Sequence, residues 1–355
     1  MSRLQSKLEK IGSNPQITAK AVGLKYTTNT NEGYFRIKKN NSTFFIDQNK
    51  KRIKDNAILS RIKSLVIPPA WEKVWIATLE NGHLQATGID AKGRKQYRYH
   101  PNWNKIRNQS KFHRLLSFAN ALPLIRTQVE KDLKLNGLPY QKVIALVVQL
   151  MAITNIRIGN EAFKKLYGSF GLTTLQDKHV KFQKSKIYFQ FTGKKGIKHN
   201  ISLESKKLLN LVKKCKEIPG QDLFQYFDDD GKHHVIGSAD INNYLKQITH
   251  KDFTAEDFRV WSGSLNALTA FLACDIPKNP AETKHKIIEV LDFVASKLGN
   301  TRTVCKKYYV HPTIIASYVN GALWKYKPQN GHNLNAEEHA LLQLLKNENI
   351  AEVLT

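Results

Sequence analysis

The hydrophobic period of this chain changes once along its length, and that change limits it to two architectures joined in series. Up to about residue 104, apolar and polar residues alternate in short runs: FRIKK from Phe35, STFFID from Ser42, VWIATLE from Val74, HLQATG from His83 and KQYRYH from Lys95. Alternation belongs to half-buried strands, because successive side chains leave a strand on opposite faces. Asn40 with Asn41, Pro68 with Pro69, Asn81 with Gly82, and the Asp90 to Gly93 segment supply turns, and one helix is expected from Asn56 to Leu65, closing before the two prolines. From Pro139 the spacing becomes helical: Val143, Leu146, Val147, Leu150 and Ile153 mark a strongly buried helix that Pro139 can start at its first position. Further helices are expected over Leu203–Cys215, Ala239–Ile248, Ala255–Ala273, Pro280–Leu298 and roughly Ala336–Asn347, with Asn279 capping and Gly299 stopping the Pro280 helix.

One stretch of the helical part reverts to alternation. Lys186 to Leu203 reads KIYFQFTGKKGIKHNISL, two alternating runs joined by GKKG, which is a β-hairpin with two lysines at its tip. The chain therefore reads as α+β. A small, mostly β domain spans residues 1–104, and a larger, mainly helical domain with a β-hairpin spans residues 105–355. With 355 residues and 41% hydrophobic composition there is material for both cores. Neither a signal peptide nor a membrane span is expected, since MSRLQSKLEK has no apolar run behind its basic start; a cytoplasmic, nucleoid-associated location is expected instead.

Charge narrows the partners. The 56 Lys and Arg against 29 Asp and Glu give a formal net charge of +27, distributed along most of the chain, so the folded body should face a polyanion, with nucleic acid the first candidate. Cys215, Cys274 and Cys305 form no CxxC pair, which argues against a disulfide framework or a structural zinc. The Asp228, Asp229, Asp230 run before Gly231 reads as a turn, His233 and His234 receive no role, and no metal site is expected. Gly88, Gly93, Arg94 and Lys95 approach a P-loop but lack its Lys-Ser/Thr ending, so no nucleotide cofactor is expected there.

Two stretches can carry chemistry. Leu298 to Pro312, LGNTRTVCKKYYVHP, sets adjacent tyrosines in a basic setting before a new helix. A phenol of pKa about 10 is a weak nucleophile and needs neighbouring cations, for which Arg302, Lys306 and Lys307 are close in sequence. In GRKQYRYHP, alternation puts Arg94, Gln96 and Arg98 on one strand face and Lys95, Tyr97 and Tyr99 on the other, which suits either donors to phosphates and base edges or an exposed strand over packed aromatics.

The motifs GLKY at Gly23, IPPAW at Ile67, HLQATGIDAKGRKQYRYHP, NIRIGNEAF, FGLTTLQDKHV, FTGKKGIKH, FRVWSGS and LGNTRTVCKKYYVHP together resemble type IB DNA topoisomerases of the bacterial and poxvirus-like branch. The resemblance covers nearly the whole chain. It implies an enzyme that relaxes supercoiled duplex DNA by transient single-strand cleavage through a 3′-phosphotyrosyl intermediate, needs no ATP, and closes its two domains on DNA as a C-shaped clamp; a monomer suffices for that chemistry. Aligned on LGNT, the nucleophile falls on Tyr309, with Tyr308 left to packing. Arg157 and Arg259 are implied to clamp the non-bridging phosphate oxygens, and Lys194, in preference to Lys195, to protonate the leaving 5′-oxygen. Asn300 stands where poxvirus-type members carry histidine, so it can donate a hydrogen bond but adds no charge. Arg94, Gln96, Tyr97 and Tyr99 fall on the family's DNA-contacting strand.

Two other readings compete. A tyrosine recombinase shares the nucleophile and the Arg and Lys chemistry, but such enzymes place HxxR at the second arginine, and here the residue three before Arg259 is Glu256. A chromosomal DNA-binding protein without catalysis would keep the charge and form no covalent bond.

Overall fold

In the computed structural model, which describes residues 14–39, 42–228, 230–326, 328 and 334–347, the chain separates into two compact units that divide between Arg114 and Leu115. The alternating runs of the first unit become β1 (Gly33–Lys39), β2 (Ser42–Ile46), β3 (Glu72–Ala77), β4 (Leu84–Ile89) and β5 (Lys95–Tyr99), a five-stranded antiparallel sheet of order β2-β1-β3-β4-β5. With it go α1 (Pro15–Ala21), α2 (Asn56–Ser64) and α3 (Pro101–His113). Val74, Ile76 and Ala86 pack on Ile62 of α2, whereas Trp75, Ala77 and Leu84 face the other way against Tyr99. The period of two thus serves a sheet buried on both faces near its centre. Several cations here are structural. Arg61 donates to the carbonyls of Ala77 at 2.8 Å and of Thr78 and Leu79 at 3.2 Å, which closes the β3–β4 connection. The turn expected at Asn40 and Asn41 lies outside the described residues.

The expected domain edge at Asn104 falls inside α3, which belongs with the first unit. Neither α3 nor the next helix, α4 (Leu115–Asp132), is among the helices expected from the sequence. Apolar positions in α3 are sparse, and α4 carries Pro123 in its interior, which usually ends a helix.

The second unit is helical around α5 (Tyr140–Thr154), in which Val143 through Val148 and also Leu150 and Met151 are buried. Ile153, expected on the buried face, is 45% exposed; the stripe continues from Leu150 to Thr154 at i+4 instead. Pro139 is the cap preceding α5, not its first residue. After α6 (Glu161–Tyr167) come β6 (Val180–Gln183), β7 (Lys186–Thr192) and β8 (Lys198–Glu204), a three-stranded sheet whose last two strands are the lysine hairpin. The remainder comprises α7 (Lys206–Lys216), the small ribbon β9 (Gln225–Phe227) with β10 (His233–Val235), α8 (Ser238–Thr249), α9 (Ala255–Leu272), α10 (Pro280–Leu298), α11 (Arg302–Tyr308), α12 (Pro312–Val319) and α13 (Ala336–Lys346). Leu203, expected to begin α7, lies in β8 instead. Asn279 caps α10 by accepting the Glu282 N–H at 2.9 Å, and Gly299 ends it in the left-handed region. No helix among the described residues is long and apolar enough to cross a membrane.

Candidate active site

Two helix ends and one buried arginine frame the site. Asn155 closes α5 in the left-handed conformation and Leu298 is the last residue of α10, so both carbonyls lie where intrahelical partners run out. Arg259, on α9 and only 3% exposed, fills that need: its guanidinium donates to the Asn155 carbonyl and, at 2.7 Å, to the Leu298 carbonyl. A cation at two helix C-termini also meets the negative ends of both dipoles. Its Nε is buried without a hydrogen-bond partner among the described residues, a donor left over. Desolvation first, then the neighbouring Arg157, lowers the Arg259 pKa, though a guanidinium keeps its charge at any working pH.

Arg157 sits in the loop after α5, and the FGLTTLQ segment holds that loop. The Leu172 N–H donates to the Arg157 carbonyl at 2.8 Å, the Gly159 N–H to Thr173 Oγ1 at 3.1 Å, and a side chain at Gly171 would strike the Arg157 carbonyl. The guanidinium then forks, giving one N–H to Tyr309 Oη at 3.1 Å and another to Asn300 Oδ1 at 2.6 Å. Because a guanidinium offers only donors, Asn300 must turn its oxygen to Arg157, and among the described residues its Nδ2 has a long 3.4 Å contact with the Leu298 carbonyl alone.

Tyr309 follows α11, its N–H bonded to the Cys305 carbonyl at 3.0 Å, and it is 4% exposed. Its ring lies under both guanidinium groups, 5.2 Å from Arg259 and 5.8 Å from Arg157. Its seat is cut into α9: a methyl at Gly263 would stand 2.6 Å from the Tyr309 carbonyl oxygen, and Ser264 Oγ donates to that oxygen at 3.2 Å while accepting the His311 N–H at 3.0 Å. The cations close in sequence do not serve Tyr309 in this arrangement. Arg302 grips Asp292 with bonds of 2.7 and 2.5 Å, Lys306 is exposed, and Lys307 covers the ring of half-buried Tyr308 at 5.4 Å. Basic residues contributed by distant segments, not by the tyrosine's own helix, line Tyr309.

Lys194 stands at the tip between β7 and β8, where the Gly193 N–H donates to the Ile197 carbonyl at 2.7 Å. The residue is exposed, yet partial desolvation, followed by the charge of Arg157, lowers its pKa. Lys195 beside it takes a left-handed φ of 63°.

In the first unit, Arg94 and Gln96 lie on one side of the β5 edge and share a carboxylate. Arg94 pairs with Asp90 at 2.5 Å, and Gln96 Nε2 donates to the same Asp90 oxygen at 2.9 Å, so Asp90 titrates at about 2, held down chiefly by Arg94. On the other side Tyr97, 47% exposed, stacks on Tyr99 at 5.9 Å, and Tyr99 in turn packs on Trp103. Asp228 forms a turn, accepting the N–H groups of Asp230 at 3.1 Å and Lys232 at 2.8 Å. Among the described residues no group of three or more His, Cys, Asp or Glu could hold a metal ion. Sequence reasoning gave no role to Gly263, Ser264 or Asn155; the SGS run after Arg259 was the available signal, since only small residues let a second backbone approach a helix.

Residues 100–329 match the family model described as eukaryotic DNA topoisomerase I, catalytic core, and residues 43–90 match that of the bacterial DNA topoisomerase IB N-terminal domain. The chain is 31% identical over 328 residues to DNA topoisomerase 1B of Acanthamoeba polyphaga mimivirus, covering 89% of this chain and 95% of that protein. It is 22% identical over 247 residues to DNA topoisomerase 1B of Vaccinia virus (strain Copenhagen), covering 69% and 75% respectively. The match to the catalytic core spans well over half the chain and includes Arg157, Lys194, Arg259, Asn300 and Tyr309. The chain belongs to the type IB DNA topoisomerases, on their poxvirus-like branch.

Proposed function

We propose that this enzyme relaxes supercoiled duplex DNA by cutting one strand with Tyr309 and resealing it. Tyr309 Oη gives up its proton to solvent as it attacks the phosphorus, a P–O bond to tyrosine forms as the P–O5′ bond breaks, and the leaving 5′-oxygen takes a proton from Lys194, which is later reprotonated from solvent. The freed strand swivels, and the 5′-hydroxyl attacks the 3′-phosphotyrosine to reverse each step. One phosphodiester is exchanged for another, so no nucleotide is consumed.

The observation that carries this reading is the fork of Arg157 between Tyr309 Oη and Asn300, beside an Arg259 with a spare buried donor. Phosphate in the site would meet Arg157, the Arg259 Nε and Asn300 Nδ2. Guanidinium forks match phosphate oxygens, and loss of one preorganised donor costs about 10²–10³ in rate. Lys194 suits proton donation because its lowered pKa brings it nearer working pH, a role worth about 10²–10⁴. For duplex binding we infer that the two units close on DNA as a C-shaped clamp, with Tyr97 and Tyr99 near the backbone and Arg94 and Gln96 exchanging Asp90 for phosphate. The net charge of +27 supports such a partner and predicts steep weakening by salt.

Relaxation of a supercoiled plasmid in EDTA and without ATP tests the reading. The parent chain should relax it and Tyr309→Phe should not. A parent that shifts the plasmid on a gel yet leaves it supercoiled would favour the non-catalytic DNA-binding alternative.

A further inference from the structure

His199 occupies a position that the chemistry above does not use. It lies opposite Phe191 in the β7–β8 register and stacks on it, ring centroids 4.8 Å apart and planes 15° apart. One edge of the imidazole fills the space over Gly193: a methyl there would stand 2.7 Å from both Cδ2 and Nε2. Its Cε1 fills the space over Gly299, where a methyl would stand at 2.5 Å. Gly193 is the residue before Lys194, and Gly299 is the residue before Asn300. The φ of Gly193 is −95°, which any residue adopts, so the ring and not the backbone requires glycine there. No hydrogen bond ties either ring nitrogen among the described residues, so the ring acts by shape. Desolvation, Arg259 and Arg157 all lower its pKa, which keeps a third cation away from the two arginines.

We propose that His199 is a positioning residue, a flat wedge between the hairpin and the α10–α11 loop that fixes Lys194 relative to Asn300 and the phosphate site. The inference rests on Lys194 as general acid. Displacing a catalytic group by about 1 Å can cost on the order of 10²-fold, so His199→Ala should slow single-turnover cleavage by about 10- to 100-fold with little change in DNA affinity. His199→Phe keeps a flat ring and should stay within about threefold of the parent. Gly193→Ala should be slow in the parent background, and His199→Ala should relieve it by removing what the new methyl strikes.

The deciding substrate is a duplex whose scissile 5′-bridging oxygen is sulfur. The P–S bond then breaks to release a thiolate, which needs no proton because a thiol has a pKa of about 8.5. Lys194→Ala and His199→Ala should both recover toward the parent rate on this substrate. Recovery of Lys194→Ala without His199→Ala would overturn the wedge, as would a His199→Phe enzyme as slow as His199→Ala, or additive effects of Gly193→Ala and His199→Ala. A Lys194→Ala enzyme that sulfur fails to recover would instead refute the general-acid reading, and the positioning role would fall with it.

Discussion

Arg259 and Lys194 are held in opposite ways. Arg259 is buried near the start of a long helix, with two of its nitrogens spent on the carbonyl ends of α5 and α10 and a third without a hydrogen bond among the described residues. Lys194 stands on a three-residue tip, exposed, and coupled to the same site through electrostatics. The difference fits the role the proposed mechanism gives each. A group that stabilises charge works best when its orientation is settled before substrate arrives. A proton donor must meet a leaving oxygen that exists only once DNA is bound. The comparison also predicts where stability and catalysis separate: removing Arg259 should damage both, and removing Lys194 only catalysis.

The largest effect should come from the hairpin. Lys194→Ala should lower single-turnover cleavage by about 10²–10⁴ while leaving the thermal midpoint unchanged; a lowered midpoint would mean the tip is structural. Arg259→Lys should cost about 10²–10³ in cleavage and also lower the midpoint, because a lysine cannot serve both carbonyls and a phosphate in one plane. An unchanged midpoint there would break the contrast. Asn300→Ala removes one arm of the Arg157 fork and should cost about 10- to 100-fold, consistent with a hydrogen bond to a charged group of about 1.5–3 kcal/mol, with Tyr309 still reactive.

The pH profile sharpens the same contrast. As the proposed proton donor Lys194 would act when protonated, so cleavage under subsaturating conditions should be full below its pKa and fall as pH rises through it. Because desolvation and Arg157 lower that pKa, the fall should come before the range of an ordinary lysine at about 10.4. The 5′-thio duplex should flatten it.

A pair away from the site supplies the smallest expected effect on catalysis. Glu338, 3% exposed, accepts from Arg126 at 2.8 and 2.5 Å and joins α13 to α4. Burial alone would raise its pKa, but the bonds from Arg126 prevail and leave it below the usual range. The stability it contributes is therefore present above the unfolded pKa and lost as pH falls through the folded one. Glu338→Gln should remove about 1–2 kcal/mol near neutrality, modest because Arg126 is nearly half exposed, and leave the cleavage rate unaltered.

Much of this was legible in the sequence where a local rule was obeyed. The strand runs, the lysine hairpin and the Asn279 to Gly299 limits of α10 each announce themselves by period or cap. What stayed hidden depends on contacts between distant segments. Arg302 looked like a partner for Tyr309 because it is near in sequence, but Asp292, one helix earlier, holds it. Arg94 and Gln96 looked like free donors until Asp90 folded back on them. The α3 and α4 helices were lost to a sparse pattern and to Pro123. The fork from Arg157 to Tyr309 and Asn300 joins residues 152 and 143 positions apart, which no spacing rule can reach.

We propose above all that Tyr309, seated on Gly263 beneath two guanidinium groups, is the nucleophile. The most direct test is capture of the covalent adduct on a duplex containing a cleavable site, stopped with detergent and mapped by peptide mass spectrometry. The account predicts a 3′-phosphotyrosyl peptide at Tyr309, formed equally by the parent and by Tyr308→Phe and absent from Tyr309→Phe. An adduct on Tyr308, or one that survives Tyr309→Phe, would contradict it.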